Sequence, residues 1–148
     1  MIDRTRRART VPAVGLFLFA LLTGGCASGP HPGESAGSGT AAYVQHLSAD
    51  QVDSWVGIHY DGLVLDVGSP AEWDDAIGHL DNAVPVPIED LESRLGEFER
   101  YRSGAVLVYD RNGTRTTRAG QILVTHGFHE VSALDGGLKA YRDWQQAR

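Results

Sequence analysis

Apolar runs alternate with helical patterns along residues 41–148 of this chain. The segment "LVLDV" (63–67) is short and rich in strand-forming residues, and "AVLVY" (105–109) is apolar throughout. An uninterrupted apolar run is typical of a strand buried on both faces of a sheet. Two further extended segments are "AVPVPI" (83–88), whose prolines favour a sheet margin, and "EVSAL" (130–134). These four segments predict the strands of the fold.

Between these segments the apolar spacing is helical. Leu91, Leu95 and Phe98 stand at i, i+4 and i+7 in "EDLESRLGEFERY" and predict one apolar helix face. Two more helices are predicted over 116–126 and 136–146. Strands that alternate with helices of this length predict an α/β fold with a mostly parallel sheet. Functional sites in such sheets lie at the carboxyl ends of the strands, where the 110–115 loop falls.

Acidic residues follow the first predicted strand. We expect Asp66, at the strand end, to orient nearby backbone through a hydrogen bond rather than to act as a general base. Ser69 is a plausible helix N-cap. Glu72, Asp74 and Asp75 are expected to form a solvated helix start, because carboxylates are favoured near the positive end of the helix dipole.

Residues 1–25 have the organisation of an export signal. A basic segment, "MIDRTRRART", precedes an apolar run of twelve residues from Val11 to Leu22. Twelve apolar residues are too few to cross a bilayer core, which needs about twenty. The order of charge and apolar run is typical of a secretory signal peptide. We therefore predict that this segment directs export.

Cys26 follows Gly24 and Gly25 and resembles the cysteine of a bacterial lipoprotein signal, which is lipidated and becomes the mature N-terminus. Thr23 departs from the leucine that is usual in that signal. The alternative is ordinary signal cleavage nearby, which would leave a free thiol. Residues 26–40 are rich in Gly, Ser and Pro and predict a flexible tether. We expect the lipid on Cys26 to anchor the domain to the cell envelope, at the outer membrane if the organism has one.

Composition excludes several classes of site. Cys26 is the single cysteine, which excludes an intrachain disulfide, a Cys-based zinc site and a Cys–Cys redox pair. The histidines lack ligand spacing, and we expect neither a metal nor a cofactor. Removal of residues 1–25 leaves nine basic and eighteen acidic side chains, a formal charge of -9. A domain that acidic is not expected to bind nucleic acid.

Four segments together resemble a rhodanese domain over about residues 44–144. They are "LVLDVGSPAEW", "GHLDNAVPVPI", "VLVYDRNGTR" and "GFHEVSALDGGLKAYRDW", in the order of the family. The resemblance implies a three-layer α/β/α sandwich around a five-stranded, mostly parallel sheet. The chain departs from the family at Gly68, where an arginine is usual, and at Asp110, onto which the catalytic cysteine of the sulfurtransferases maps.

The loop at Asp110 keeps the six-residue length of the sulfurtransferase loop. Its residues are Asp110, Arg111, Asn112, Gly113, Thr114 and Arg115. In active members, the resemblance implies, the loop N–H groups and the following helix hold a reactive cysteine sulfur. A carboxylate forms no stable adduct with sulfane sulfur, so we expect no catalytic residue here. Asp110 is predicted instead to accept the loop N–H bonds and to pair with Arg115. The alternative is that the loop forms a ligand-binding site.

Three of the nine basic residues of the exported chain fall within 111–118. In one interpretation Arg115 pairs with Asp110 while Arg111 and Arg118 are solvated. In the other, these arginines form a basic docking surface for an envelope protein or a small anion. We predict a non-catalytic binding or scaffold module. The alternatives are an enzyme that uses Asp110 in phosphoryl or acyl transfer, residual sulfurtransferase activity, and an inert spacer.

Overall fold

The computed structural model describes residues 42–148 and contains five strands and five α-helices. The strands are β1 (Tyr43–Leu47), β2 (Leu63–Asp66), β3 (Val84–Pro85), β4 (Ala105–Tyr109) and β5 (Glu130–Leu134). The helices are α1 (Val52–Ile58), α2 (Pro70–Trp73), α3 (Ile88–Arg94), α4 (Thr116–Thr125) and α5 (Gly137–Gln146). Two 3₁₀ segments, Ala49–Gln51 and Leu95–Tyr101, precede α1 and follow α3.

The five strands form one sheet in the order β1-β5-β4-β2-β3, and every neighbouring pair is parallel. The predicted α/β fold with a five-stranded parallel sheet flanked by helices is confirmed. All carboxyl ends of parallel strands meet at one edge of the sheet. Because Asp66 is in register with Tyr109, the segments after β2 and β4 leave this edge side by side.

Helices cover both faces of the sheet with separate hydrophobic clusters. On one face Leu91, Phe98 and Leu123 pack against the strands, and on the other Trp55 and Tyr141 do so. Burial of such large apolar side chains is the main favourable term in folding. All five strands and both clusters lie within residues 42–148. This part of the chain therefore contains a complete sheet and core.

The predicted single helix over 89–101 is wrong in its second half. Helix α3 ends at Arg94, and the chain continues as a 3₁₀ segment. Gly96 weakens an α-helix at this point, and Leu95 and Phe98, which are both buried, stand three residues apart. That spacing places both side chains on one face of a helix with three residues per turn. The core positions were therefore predicted correctly although the helix type was not.

The predicted export signal (1–25), the tether (26–40) and the lipidated Cys26 lie outside the described residues and stay predictions. Within residues 42–148, no helix has both the length and the apolar content needed to span a membrane.

Candidate functional site

The 110–115 loop joins the most deeply buried strand to the helix that follows it. All five residues of β4 are buried, and α4 begins at Thr116. On the β2 side, the N–H of Val67 donates to the carbonyl of Tyr109 at 2.8 Å. The first residue of the loop is therefore held at the carboxyl edge of the sheet.

Asp110 is fully buried at the centre of the loop. Its Oδ1 accepts hydrogen bonds from the N–H of Gly113 at 2.6 Å and the hydroxyl of Thr116 at 2.8 Å. Its Oδ2 accepts from the N–H of Arg115 at 3.1 Å and the hydroxyl of Thr114 at 3.2 Å. These contacts agree with the prediction that Asp110 accepts the loop N–H bonds. The donors of the loop converge on a carboxylate of the chain itself.

Arg115 contacts two carboxylates. Its Nη1 lies 3.6 Å from Oδ2 of Asp110, which agrees with the predicted ion pair. The nearer partner is Glu72, whose Oε2 and Oε1 accept from Nη1 at 3.0 and 3.3 Å. Glu72 also accepts from the N–H of Ser69 at 2.7 Å and closes a capping box at the start of α2. Burial raises the pKa of Glu72, but the bonds from Ser69 and Arg115 outweigh it and hold the pKa below its usual value.

The expectation that Glu72 and Asp75 are solvated is wrong, whereas the interpretation in which Arg111 is solvated holds in part, since its side chain is 39% exposed. Arg111 forms an ion pair with Asp75, whose side chain is only 19% exposed. Glu72 and Asp75 follow β2, which is hydrogen-bonded to β4, so they face the loop across the same edge of the sheet. Arg118 and Asp74 are exposed, as expected.

The N-terminus of α5 supports the loop from behind. The N–H groups of Leu138 and Lys139 donate to the carbonyls of Asp110 and Arg111, each at 2.9 Å. Gly137 has a φ of +64°, and a Cβ there would lie 2.4 Å from the carbonyl oxygen of Asp110. Only glycine permits this approach. The sequence indicated a turn at this glycine pair but not that the turn would contact the loop.

Asp66 also lies at this edge and is 7% exposed. Its Oδ1 accepts from the N–H of Gly68 at 2.8 Å, in agreement with the predicted orienting role. Burial raises the pKa of Asp66 despite the bonds from Gly68 and Tyr109, and the charges of Asp110 and Glu72 act in the same direction as burial. Two carboxyl groups are therefore buried at adjacent strand ends.

Residues 42–148 bring together no group of three or more His, Cys, Asp or Glu side chains that could hold a metal ion.

Comparison with known proteins identifies the family. Residues 43–143, more than half of the chain, match the rhodanese-like domain. The chain belongs to this family. Among curated proteins, this rhodanese-like domain is similar to the tRNA uridine(34) hydroxylases of Chlamydia trachomatis serovar D and Pectobacterium carotovorum. It is 39% identical to the first over 85 residues (53% of this chain, 25% of that protein) and 29% identical to the second over 101 residues (66% and 28%). The chain thus spans about a quarter of the length of these relatives.

Solved structures agree with the fold. A rhodanese-like domain from an Anabaena protein is 29% identical, with a TM-score of 0.58, over 67% of this chain and 74% of that one. The Bacillus anthracis protein CoADR-RHD is 24% identical, with a TM-score of 0.59, over 71% of this chain and 18% of that one. The second likeness concerns the fold alone.

Proposed function

We propose that the chain is a rhodanese-like binding or scaffold module of the cell envelope that does not transfer sulfur through a persulfide. The observation that carries this proposal is the burial and hydrogen bonding of the Asp110 side chain. Its carboxylate is fully buried and accepts four hydrogen bonds from the loop. The groups that would stabilise a reactive sulfur or a bound anion are already occupied.

The chemistry of the loop argues against sulfur transfer. By resemblance, the catalytic cysteine of the family maps onto Asp110, and persulfide chemistry needs a soft thiolate that a carboxylate cannot replace. Cys26, the single cysteine, lies outside the domain. This substitution leaves the domain without a group that can carry sulfane sulfur.

Binding of an external anion in the loop is also disfavoured. A second anion about 4 Å from Asp110 would meet repulsion of about 4 kcal/mol at an effective dielectric constant near 20. That repulsion corresponds to roughly three decades in affinity. Arg111 and Arg115 offset it poorly, because they pair with Asp75 and Glu72. We therefore propose a protein partner rather than a small anion at this face.

The envelope location rests on residues 1–40. The export signal, the cysteine after it and the Gly/Ser/Pro tether support a domain held near a membrane by a lipid on Cys26. Labelling of the expressed full chain with a fatty-acid analogue tests this proposal. We expect label in the wild type and none in Cys26→Ser. An unlabelled wild-type chain that is nevertheless exported would favour ordinary cleavage.

Two enzymatic alternatives have weaker support. Phosphoryl or acyl transfer by Asp110 requires that a substrate reach its carboxylate, which is fully buried. Modification of tRNA is suggested by the names of the relatives, but the exported chain carries a formal charge of -9, which opposes binding to a polyanion. Turnover in a phosphatase screen that is lost in Asp110→Asn would revive the first alternative, and retention of tRNA at physiological salt would revive the second.

The decisive experiment is thiosulfate-to-cyanide sulfur transfer by residues 37–148. The wild type is compared with Asp110→Cys and with Asp110→Ser, which has nearly the same size as cysteine but no sulfur. We expect activity only in Asp110→Cys, because that variant alone supplies a thiolate to the preserved loop. Activity in the wild type would overturn the proposal. If none of the three proteins transfers sulfur, the loop differs from an active loop in more than the missing cysteine. That result would favour a docking or spacer role.

A further inference from the structure

A cavity of about 280 Å³ opens beside the loop, at the carboxyl ends of β2 and β3. Its apolar wall is formed by Trp73 and the rings of Pro70, Pro85 and Pro87, and its polar lining includes the carboxylates of Asp66 and Asp74. No residue of the 110–115 loop contributes to it. The cavity is therefore a separate feature of the same edge of the sheet.

The charged groups of the cavity are acidic. Asp66 is the buried carboxyl group in its wall, and Asp74 is exposed. Asp110 and Glu72 lie close enough to Asp66 for their charges to raise its pKa. Arg115, a cation at this edge of the sheet, is already shared between Glu72 and Asp110. The charged side chains that line the cavity are thus carboxylates, and a buried carboxylate with further carboxylates nearby gains from a cationic neighbour.

The volume of the cavity and the residues that line it restrict the kind of ligand that it can bind. At about 280 Å³ it lies just below the range of pockets that hold drug-sized molecules, so it fits one side chain or a small organic molecule. His79 stacks on one face of the Trp73 indole, with the ring centroids 3.9 Å apart. A buried carboxylate beside apolar rings favours a cation with an apolar stem, because the carboxylate attracts the charge and the stem covers the apolar surface. A free metal ion would leave the proline and tryptophan surface unused.

We propose that this cavity binds a guanidinium or ammonium group on a short apolar stem, with the charge at Asp66 and the stem against Trp73 and the prolines. The group comes either from an arginine or lysine side chain of a protein partner or from a free organic cation. The inference goes beyond the proposed function of the loop. If the proposed function of the loop is refuted, the cation site can still stand, and the reverse also holds. Sulfur transfer tests the first proposal and cation binding tests the second.

The test is a titration of ¹⁵N-labelled residues 37–148 with n-butylguanidinium at constant ionic strength. Its neutral counterpart, n-butylurea, has the same stem without the charge. We expect a saturable shift of the indole N–H signal of Trp73 with the cation only, and no shift at Trp55 or Trp144, which lie outside the cavity. A dissociation constant in the millimolar range is the expectation for so small a probe.

Matched variants assign the site. Asp66→Asn keeps an oxygen that can accept from Gly68 but removes the charge, and it should weaken binding at least ten-fold. Asp61→Asn, an exposed aspartate outside the cavity, should leave binding unchanged. If Asp66→Asn fails to fold, Asp74→Asn and Trp73→Leu test the site instead. Each of these variants should lower the affinity for n-butylguanidinium two-fold or more.

The source of the cation is found by comparison with the capped peptide Gly-Gly-Arg-Gly-Gly. Binding of the peptide ten-fold tighter than n-butylguanidinium indicates a side chain of a protein partner, and weaker binding indicates a free organic cation. The proposal is overturned if the wild type shows no saturable shift with either probe. It is also overturned if n-butylurea binds equally well, or if the folded cavity variants bind like the wild type.

Discussion

The change Asp110→Asn tests whether the carboxylate holds the loop together. Asparagine has nearly the same shape, but one of its two terminal atoms is an NH₂ group, which donates and cannot accept. In the wild type both oxygens accept, Oδ1 from Gly113 and Thr116 and Oδ2 from Arg115 and Thr114. An amide in either orientation therefore keeps two of the four bonds and turns a donor towards the other two donors.

The size of the effect follows from the burial of these groups. A hydrogen bond to a charged group contributes about 1.5–3 kcal/mol, and removal of one partner of a buried ion pair costs about 3–5 kcal/mol. The hydroxyl of Thr114 also lies 2.8 Å from Oδ1 of Asn112, to which it can donate instead, and this reduces the loss. We expect Asp110→Asn to lower the free energy of unfolding by about 2–4 kcal/mol. That is a large fraction of the 5–15 kcal/mol that is typical of a domain.

Guanidinium denaturation of residues 37–148, followed by tryptophan fluorescence, measures this loss. The midpoint should fall while the slope of the transition stays constant, because the surface exposed on unfolding does not change. Asp81→Asn, at an exposed aspartate, is the matched control and should stay within about 0.5 kcal/mol of the wild type. A loss below about 1 kcal/mol in Asp110→Asn would refute the argument that this carboxylate organises the loop.

Three further predictions follow from contacts around the loop. Arg115→Met should destabilise by about 1–2 kcal/mol because it leaves two carboxylates without their partner, whereas Arg118→Met, at an exposed position, should have little effect in the same denaturation assay. Gly137→Ala should lower stability by at least about 2 kcal/mol, because of its positive φ and its approach to the backbone of the loop. Gly57→Ala, within α1 and with open space around it, should be neutral or stabilising in thermal unfolding. Glu72→Gln should be less stable than the wild type above pH 4.5, and the gap should close as the pH falls, because the lowered pKa of Glu72 gives stability that protonation removes. A gap that is constant from pH 7 to pH 3 would contradict the assigned ion pair.

The sequence predicts the buried strands and the margin at β3 well and the margin at β1 poorly. Strands β2 and β4 are buried at every position, so their apolar runs are visible without a partner. Strand β1 is not predicted from its own residues, because "YVQHL" contains two polar residues and only its last residue is buried. Within residues 42–148 it is an edge strand that pairs with β5 alone, and its position depends on that pairing rather than on its own composition.

The candidate site divides in a similar way. The contacts of Asp110 with its own loop were predictable because they link residues three to six positions apart. The partners Glu72 and Asp75 were missed because they come from the segment after β2, and Arg115 is 43 residues from Glu72. One signal was present in the sequence: Ser69 and Glu72 have the spacing of a capping box, which fixes the glutamate near the strand end.

These missed partners change what the loop can recognise. The form of the loop alone, with its convergent N–H groups and following helix, is that of an anion site. The side chains around it reverse that preference, since Asp66, Glu72, Asp75 and Asp110 lie at this edge of the sheet and the arginines Arg111 and Arg115 are already paired with three of them. An added anion meets an excess of negative charge, and an added cation reduces it. The same charges that disfavour an anionic ligand at Asp110 therefore favour a cationic group in the cavity beside Asp66. A partner that docks at this edge is expected to offer a basic side chain rather than an acidic one.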